Sequence, residues 1–319
     1  MTARTLLLVP ASLAILAALP APAAGDGLPG TGVLASPVSA PGGDVAYVTK
    51  TAKRDTILRE RRLGGGWPIL RTLDLRGRYS VPAVAYDGSP SGLSADGRTL
   101  VLINPRKRWP RERTTFAVID ARRMELRRHI RLRGDFSFDA ISPDGRVAYL
   151  IEYLSPRDAT AYAVRAYDMR ARRLFQEPVV DPSEPDEDMS GVPLTRVSDG
   201  EGRWAYTLYS GRKHPFVHAL DTERRTAVCI DLDLGNLRGA ALELHGGRLD
   251  VVGDSGLLAR IDTATHRVTA TPGKPPARAQ AEAKASAGTP WLLIAGPTAA
   301  LMLLAAVSRR RSATRTGVP

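Results

Sequence analysis

With a single cysteine, Cys229, the 319-residue chain can form no intramolecular disulfide. A domain exported without disulfides must be held by its own apolar core, and a hydrophobic content of 43% is enough to build one. Cys229 stands in Ala227-Val228-Cys229-Ile230-Asp231. Such an apolar, strand-like run predicts a buried small hydrophobe rather than a reactive thiol. Histidine is scarce as well, at positions 129, 214, 218, 245 and 266, with no HExxH or HxH spacing for a metal. His214 and His218 on one strand would lie about 13 Å apart, too far to share an ion. Lysine is nearly displaced by arginine: 6 Lys stand beside 39 Arg, and the net charge is +12. Such an arginine bias fits a GC-rich bacterial coding sequence. No Gly-x-Ser-x-Gly elbow is present; Ser94 and Ser142 fall in turns between strand-like runs, which argues against serine hydrolase chemistry.

The two ends of the chain are apolar. Arg4 is followed by a mostly apolar run to Leu19 and then by Pro20-Ala21-Pro22-Ala23-Ala24-Gly25. Charge, short apolar stretch and small residues in that order predict a signal peptide over residues 1–24. No cysteine follows the run, so a lipoprotein anchor is excluded. Near the other end, residues 291–307 carry no charge, with Trp291 at one edge and Arg309, Arg310 and Arg311 beyond the other. That pattern predicts a single membrane span over residues 290–308 and a basic cytoplasmic tail over 309–319, with the preceding domain outside the cell. Residues 272–289, rich in Pro, Ala, Lys and Gln, read as a solvated stalk. Leu28-Pro29-Gly30-Thr31-Gly32 matches a sortase pattern, but it follows the signal peptide instead of preceding the span and is read as chance.

Between the ends lies an ectodomain over residues 25–271, which repeats itself from about residue 33 onward. Leu93-Ser94-Ala95-Asp96-Gly97-Arg98-Thr99-Leu100 and Ile141-Ser142-Pro143-Asp144-Gly145-Arg146-Val147-Ala148 lie 48 residues apart. A degenerate copy is Val197-Ser198-Asp199-Gly200-Glu201-Gly202-Arg203-Trp204. Asp96-Gly97, Asp144-Gly145 and Asp199-Gly200 are therefore expected to be structural turns leading into strands. A second marker runs in phase. Strand-like runs end at Asp120, Asp168, Asp221 and Asp262, separated by 48, 53 and 41 residues, each followed by a polar turn and another strand. Four antiparallel strands per unit of this length is a propeller blade. Five blades are expected, opening near Val33, Ser80, Phe136, Leu194 and Gly239, with a sixth if the insertion around 178–193 hides one.

The Ser-Pro-Asp-Gly-Arg turn followed by Val-Ala-Tyr resembles the repeat of TolB-like and related WD40-like bacterial β-propellers. Residues Ile261 to Val268 are similar to surface-protein repeats of the YVTN type. The resemblance implies an all-β, single-propeller ectodomain; its motifs specify blades and say little about a ligand.

Charge is unevenly divided. Residues 25–140 hold 21 Lys plus Arg against 12 acids, whereas residues 141–289 hold 19 against 21. The segment Asn104-Pro105-Arg106-Lys107-Arg108-Trp109-Pro110-Arg111-Glu112-Arg113 gathers five cations around a tryptophan. Arg106, Lys107, Arg108, Trp109, Arg111 and Arg113 are thus the candidate polyanion-binding set. Outside a bacterial cell the polyanion would be a wall polymer or anionic lipid heads rather than nucleic acid, and a solvated arginine-rich face set by codon bias is the equal alternative. The acidic stretch from Asp181 to Asp188 lacks the central glycine of a calcium loop and is stiffened by two prolines. An inter-blade loop is the preferred reading there, with calcium binding by Asp181–Asp188 as the less favoured alternative, and no other cofactor is expected. Two function classes follow: a non-catalytic module that binds an envelope polymer or partner protein, and a propeller lyase or glycan hydrolase with carboxylates or a Tyr/His pair in the central funnel. The first is preferred, because the repeats are built from packing residues.

Overall fold

In the computed structural model the described residues are 37–185, 189–235 and 237–270, and they form 19 strands. The predicted signal peptide, stalk, membrane span and tail lie outside them, as do Asp186, Glu187 and Asp188. Among the described residues no helix is long and apolar enough to cross a membrane. The sequence units become five sheets. Blade 1 holds β1 (Val38–Ser39), β2 (Val45–Ala52), β3 (Asp55–Arg62) and β4 (Ile69–Leu75). Blade 2 holds β5 (Thr99–Ile103), β6 (Arg113–Asp120) and β7 (Glu125–Arg133). Blade 3 holds β8 (Phe136–Ile141), β9 (Val147–Tyr153), β10 (Tyr162–Asp168) and β11 (Arg173–Val179). Blade 4 holds β12 (Pro193–Ser198), β13 (Trp204–Tyr209), β14 (Phe216–Asp221) and β15 (Thr226–Asp231). Blade 5 holds β16 (Ala241–His245), β17 (Arg248–Gly253), β18 (Gly256–Asp262) and β19 (Arg267–Ala270).

All pairings are antiparallel between sequence neighbours, the meander of a β-propeller. Four sheets have four strands; blade 2 has three, and the place of its first strand is taken by isolated bridges from Ser80 to Ile103 and from Leu93 to Leu100.

The repeated turns explain the repeated residues. Ser94 Oγ donates to Asp96 and accepts from Thr99 N, while Gly97 adopts φ +67°. Ser142, Asp144 and Gly145 (φ +69°) repeat this arrangement. Blade 4 departs from the sequence expectation. There Asp199 takes the serine's place, accepting from Trp204 N, and the left-handed glycine is Gly202 (φ +73°) rather than Gly200. Because aspartate can accept the backbone donor that the serine hydroxyl accepts elsewhere, the Asp-Gly pair slides two residues off register.

The strand-ending aspartates cap the next turn. Asp168 accepts from the amides of Arg170 and Ala171, Asp221 from Glu223 and Arg224, and Asp262 from Ala264 and Thr265. Four residues after each of Asp120, Asp168, Asp221 and Asp262 the chain turns through positive φ, at Met124, Arg172, Arg225 and His266.

Apolar clusters fill the spaces between consecutive blades. Leu58 and Tyr47 meet Leu100 and Ile119 between blades 1 and 2. Phe116 and Val118 meet Phe138 and Leu150 between blades 2 and 3. Tyr149 and Tyr162 meet Tyr209 and Leu220 between blades 3 and 4, and Leu208 and Val217 meet Leu249 and Val251 between blades 4 and 5. Among the described residues no such cluster joins blade 5 to blade 1. Every cluster lies within residues 38–261, so the sheets carry their own core.

Candidate functional site

Alternating strand directions place the turns at two ends. One end collects the Asp-Gly turns, the loop after β3 and the aspartate-capped turns after β6, β10, β14 and β18. The far end collects residues 104–112, the loops after β4 and β7, and Ala270, where the last strand finishes.

The centre is crossed by one segment, which leaves a recess of about 200 Å³ at the Asp-Gly end lined by Ala40, Leu93, Ala140 and Asp199. Between Ser80 and Leu93 the chain leaves blade 2, forms its own bridge from Ala83 to Pro90, and crosses to the free edge of β12. Tyr86 N donates to Pro193 O at 2.9 Å, Asp87 N to Leu194 O at 3.2 Å, and Arg196 N to Ser89 Oγ at 3.3 Å. Gly92, at φ +109°, permits the return, since a Cβ there would lie 2.4 Å from Val101 O. Beside this crossing, Arg196 of β12 ion-pairs with Asp139 of β8, both almost wholly buried. The Asp-Gly turns also converge: Asp96 N donates to Pro143 O, and Gly202 packs against Ala95.

The loop at 104–113 divides into two sets. Arg106 and Arg111 turn inward on Asp135, with side chains 6% and 8% exposed. Arg106 also lies over the rings of Trp109 and Tyr153, and Arg111 donates to Asn104 O and Phe136 O. Trp109 is tied down by its indole N–H to Pro156 O at 3.1 Å. Lys107, Arg108 and Arg113 remain on the surface, Arg108 beside Glu112.

Folding gathers further cations around them. Arg113 of β6 lies directly opposite Arg133 of β7, and Arg131 follows on the same face. Like charges directly opposite on a sheet repel. The neighbouring loop of blade 1 adds Arg76 and Arg78, both exposed. Arg78 donates to Lys53 O and receives Asn104 on its own carbonyl, which binds the blade-1 and blade-2 loops together. Buried Tyr79 stacks on His129 at 5.7 Å, and burial together with Arg131 holds that imidazole below its ordinary pKa. The result is a basic band across the far end of blades 1 and 2. Arg76, Arg78, Arg131 and Arg133 were not singled out in the sequence; β-pairing brings them to the loop, and the only linear signal was the charge excess of residues 25–140.

A second polar region crosses blade 4. Register places Arg196, Thr207, His218 and Cys229 side by side on its four strands. His218 is fully buried, and burial pushes its pKa down to about 4, so it is neutral; its Nε2 has no protein partner among the described residues. With Phe216, Met189, Lys213 and Asp181 it lines a cavity of about 360 Å³. Cys229 is half-buried and borders that cavity, a correction to the buried hydrophobe expected from its neighbours. Strand alternation turns it toward the polar row. His214 precedes β14 and pairs with Asp231 at 3.4 Å. Asp181 is consumed as a cap, accepting from Ser183 and from Cys229 N. No group of three metal-ligating side chains is found among the described residues.

No family model matches the chain, and no curated protein does. The solved structures similar to it include TolB from Acinetobacter baumannii, at 13% identity over 72% of this chain and 51% of that one, with a TM-score of 0.42. A putative TolB from Agrobacterium tumefaciens is 12% identical over 73% of this chain and 72% of that one, with a TM-score of 0.43. The β-propeller domain of Cps50 (Swd1) from Myceliophteria thermophila is 14% identical over 68% of this chain and 62% of that one, with a TM-score of 0.41. The chain spans about half the length of the Acinetobacter protein.

Proposed function

We propose that the protein is an exported β-propeller, held at the cell membrane by residues 290–308, that binds an anionic envelope polymer at its basic far end without catalysing a reaction on it. The observation that carries this reading is the opposed pair Arg113 and Arg133, flanked by Arg131, Lys107 and Arg108 and fastened to the Arg78 loop. Glu112 offsets Arg108 at one edge, but Arg113 and Arg133 repel each other; a linear polyanion turns that repulsion into attraction and releases counterions. A funnel enzyme would need open space and free acid–base groups at the axis. Residues 82–92 cross that axis, and Asp139 beside them is neutralised by Arg196; the recess of about 200 Å³ left at the Asp-Gly end holds one carboxylate, Asp199, which is engaged by Trp204 N. These features favour binding over catalysis.

The test is co-sedimentation of residues 25–274 with isolated envelope polymer and with the same polymer stripped of its anionic groups. Retention only by the anionic form, fading as salt rises, is expected; equal retention by both would refute the reading. For the membrane part, N-terminal sequencing should find a mature chain starting near Gly25. Removal of residues 290–319 should release the protein from the membrane fraction.

A further inference from the structure

The Asp-Gly end carries a different surface. Seven large apolar side chains are exposed among the described residues: Trp67, Ile69, Leu70, Tyr86, Leu126, Leu154 and Val268. Five of these stand at the Asp-Gly end. Trp67, Ile69 and Leu70 form the tip of the β3–β4 hairpin, while Leu126 and Val268 are the second residues of β7 and β19, which both start there. Arg71 ties the hairpin to the β6–β7 turn by donating to Arg122 O at 2.6 Å, which brings the tip beside the strand that carries Leu126.

The tip is built to protrude. Gly64, Gly65 and Gly66 all take positive φ, and Trp67 itself sits at φ +59°. That conformation costs a bulky residue on the order of 1 kcal/mol or more. Arg61 Nε holds it by donating to Trp67 O at 2.8 Å. The indole is thereby held on the surface, 39% exposed, beside Ile69 at 45%. Ile69 and Leu70, consecutive in β4, face opposite sides, so the tip is apolar on both faces beside Trp67, and such a local concentration of apolar surface marks an interaction site.

The charged groups at this end are sorted by depth. The turn aspartates point back into their own turns, where Asp120, Asp168 and Asp221 accept backbone N–H groups; hydrogen bonding and neighbouring arginines outweigh the opposing cost of burial and keep their pKa values below the ordinary range. Two or three residues on, Arg123, Arg170 and Arg224 are exposed, and Arg123 and Arg170 act on their aspartates at longer range than an ion pair. The outermost layer around the tryptophan tip is rich in exposed arginine, with Arg62, Arg122, Arg172 and Arg173 beside these three, and more sparsely acidic, with Asp44, Glu125, Asp144, Glu201 and Glu223 exposed among them.

We propose that the Asp-Gly end docks on an anionic lipid surface. Trp67, Ile69 and Leu70 enter the headgroup boundary, and Arg62, Arg122 and Arg123 meet lipid phosphates. A tryptophan with aliphatic neighbours and a ring of arginine matches the composition of interfacial membrane contacts. Charge complementarity selects anionic over zwitterionic lipid. This surface lies opposite the basic band, and its occupancy is independent of the polymer reading. The chain leaves the propeller at the far end, at Ala270. At roughly 3.3 Å per extended residue, a segment of the length of 271–289 can span the strand height of the blades, so a tether there is long enough for this end to meet the same membrane.

The test uses residues 25–274, which hold every strand and core cluster, with vesicles of phosphatidylcholine alone or mixed equally with phosphatidylglycerol. Sedimentation with the mixed vesicles and a blue shift of tryptophan emission are expected. Trp67→Ala or Leu70→Ser should weaken the partition about tenfold without changing the thermal midpoint. Trp67→Phe should retain most of the binding but lose most of the blue shift, which assigns the inserted ring. Equal binding to both vesicle types, binding unchanged by Trp67→Ala, or self-association through this tip in place of vesicle binding would each overturn the proposal.

Discussion

The guanidinium of Arg196 on blade 4 closes on the carboxylate of Asp139 on blade 3, with side chains only 4% and 3% exposed, where the segment 82–92 crosses the centre. Removing one partner strands a buried charge. Asp139→Ala and Arg196→Ala are each expected to lower unfolding free energy by about 3–5 kcal/mol. The double replacement Asp139→Ala with Arg196→Ala should cost less than the sum of the two, because no charge is left unpaired. Urea titration of the four proteins decides this; simple additivity would mean that the pair is not coupled.

Gly92 controls the crossing segment. Alanine there combines a left-handed backbone at φ +109° with a methyl 2.4 Å from Val101 O. Gly92→Ala is expected to cost about 1–3 kcal/mol and to expose the β12 edge. Hydrogen exchange at Arg196 N, which donates to Ser89 Oγ, would report the opening directly.

His218 predicts a pH dependence. Its folded pKa of about 4 lies below the usual value of 6.5, so the unfolded chain binds the extra proton first as pH falls. Stability from this group is complete above pH 6.5 and declines as pH drops toward 4, by up to about 3 kcal/mol. Denaturant titrations between those limits should show a steeper slope for the native protein than for His218→Gln. The Asp168 and Asp221 caps, with lowered pKa values, add a further loss at more acidic pH.

The loop 104–113 should separate stability from binding. Arg106→Ala or Arg111→Ala leaves Asp135 buried with fewer partners and should lower the thermal midpoint by several degrees. Lys107→Gln with Arg108→Gln should leave the midpoint unchanged and weaken retention on an anionic polymer. The reverse pattern would place the binding function on the buried arginines.

Much of the scaffold can be read directly in the chain. Ser94-x-Asp96-Gly97 and Ser142-x-Asp144-Gly145 are local turns, and the aspartates at 120, 168, 221 and 262 cap turns only a few residues away, so sequence spacing reveals both. Three features escape such reading because their partners are distant. The crossing of 82–92 depends on the edge of β12, about a hundred residues later, and its own sequence resembles an ordinary Pro/Gly/Ser loop. The inward turn of Arg106 and Arg111 depends on Asp135, an isolated carboxylate after β7. The Gly202 turn hides because aspartate replaces serine as the acceptor for Trp204 N.

The most direct test of the central claim is retention of residues 25–274 on isolated anionic envelope polymer over a salt series, beside the triple variant Arg113→Gln, Arg131→Gln, Arg133→Gln. The native protein should bind with an affinity that falls steeply with salt. The variant should bind far more weakly, with a log–log slope smaller by roughly one unit per arginine removed, by analogy with other linear polyanions. Equal affinity and equal slope for the two proteins would contradict the assignment of polymer binding to the Arg113–Arg133 band.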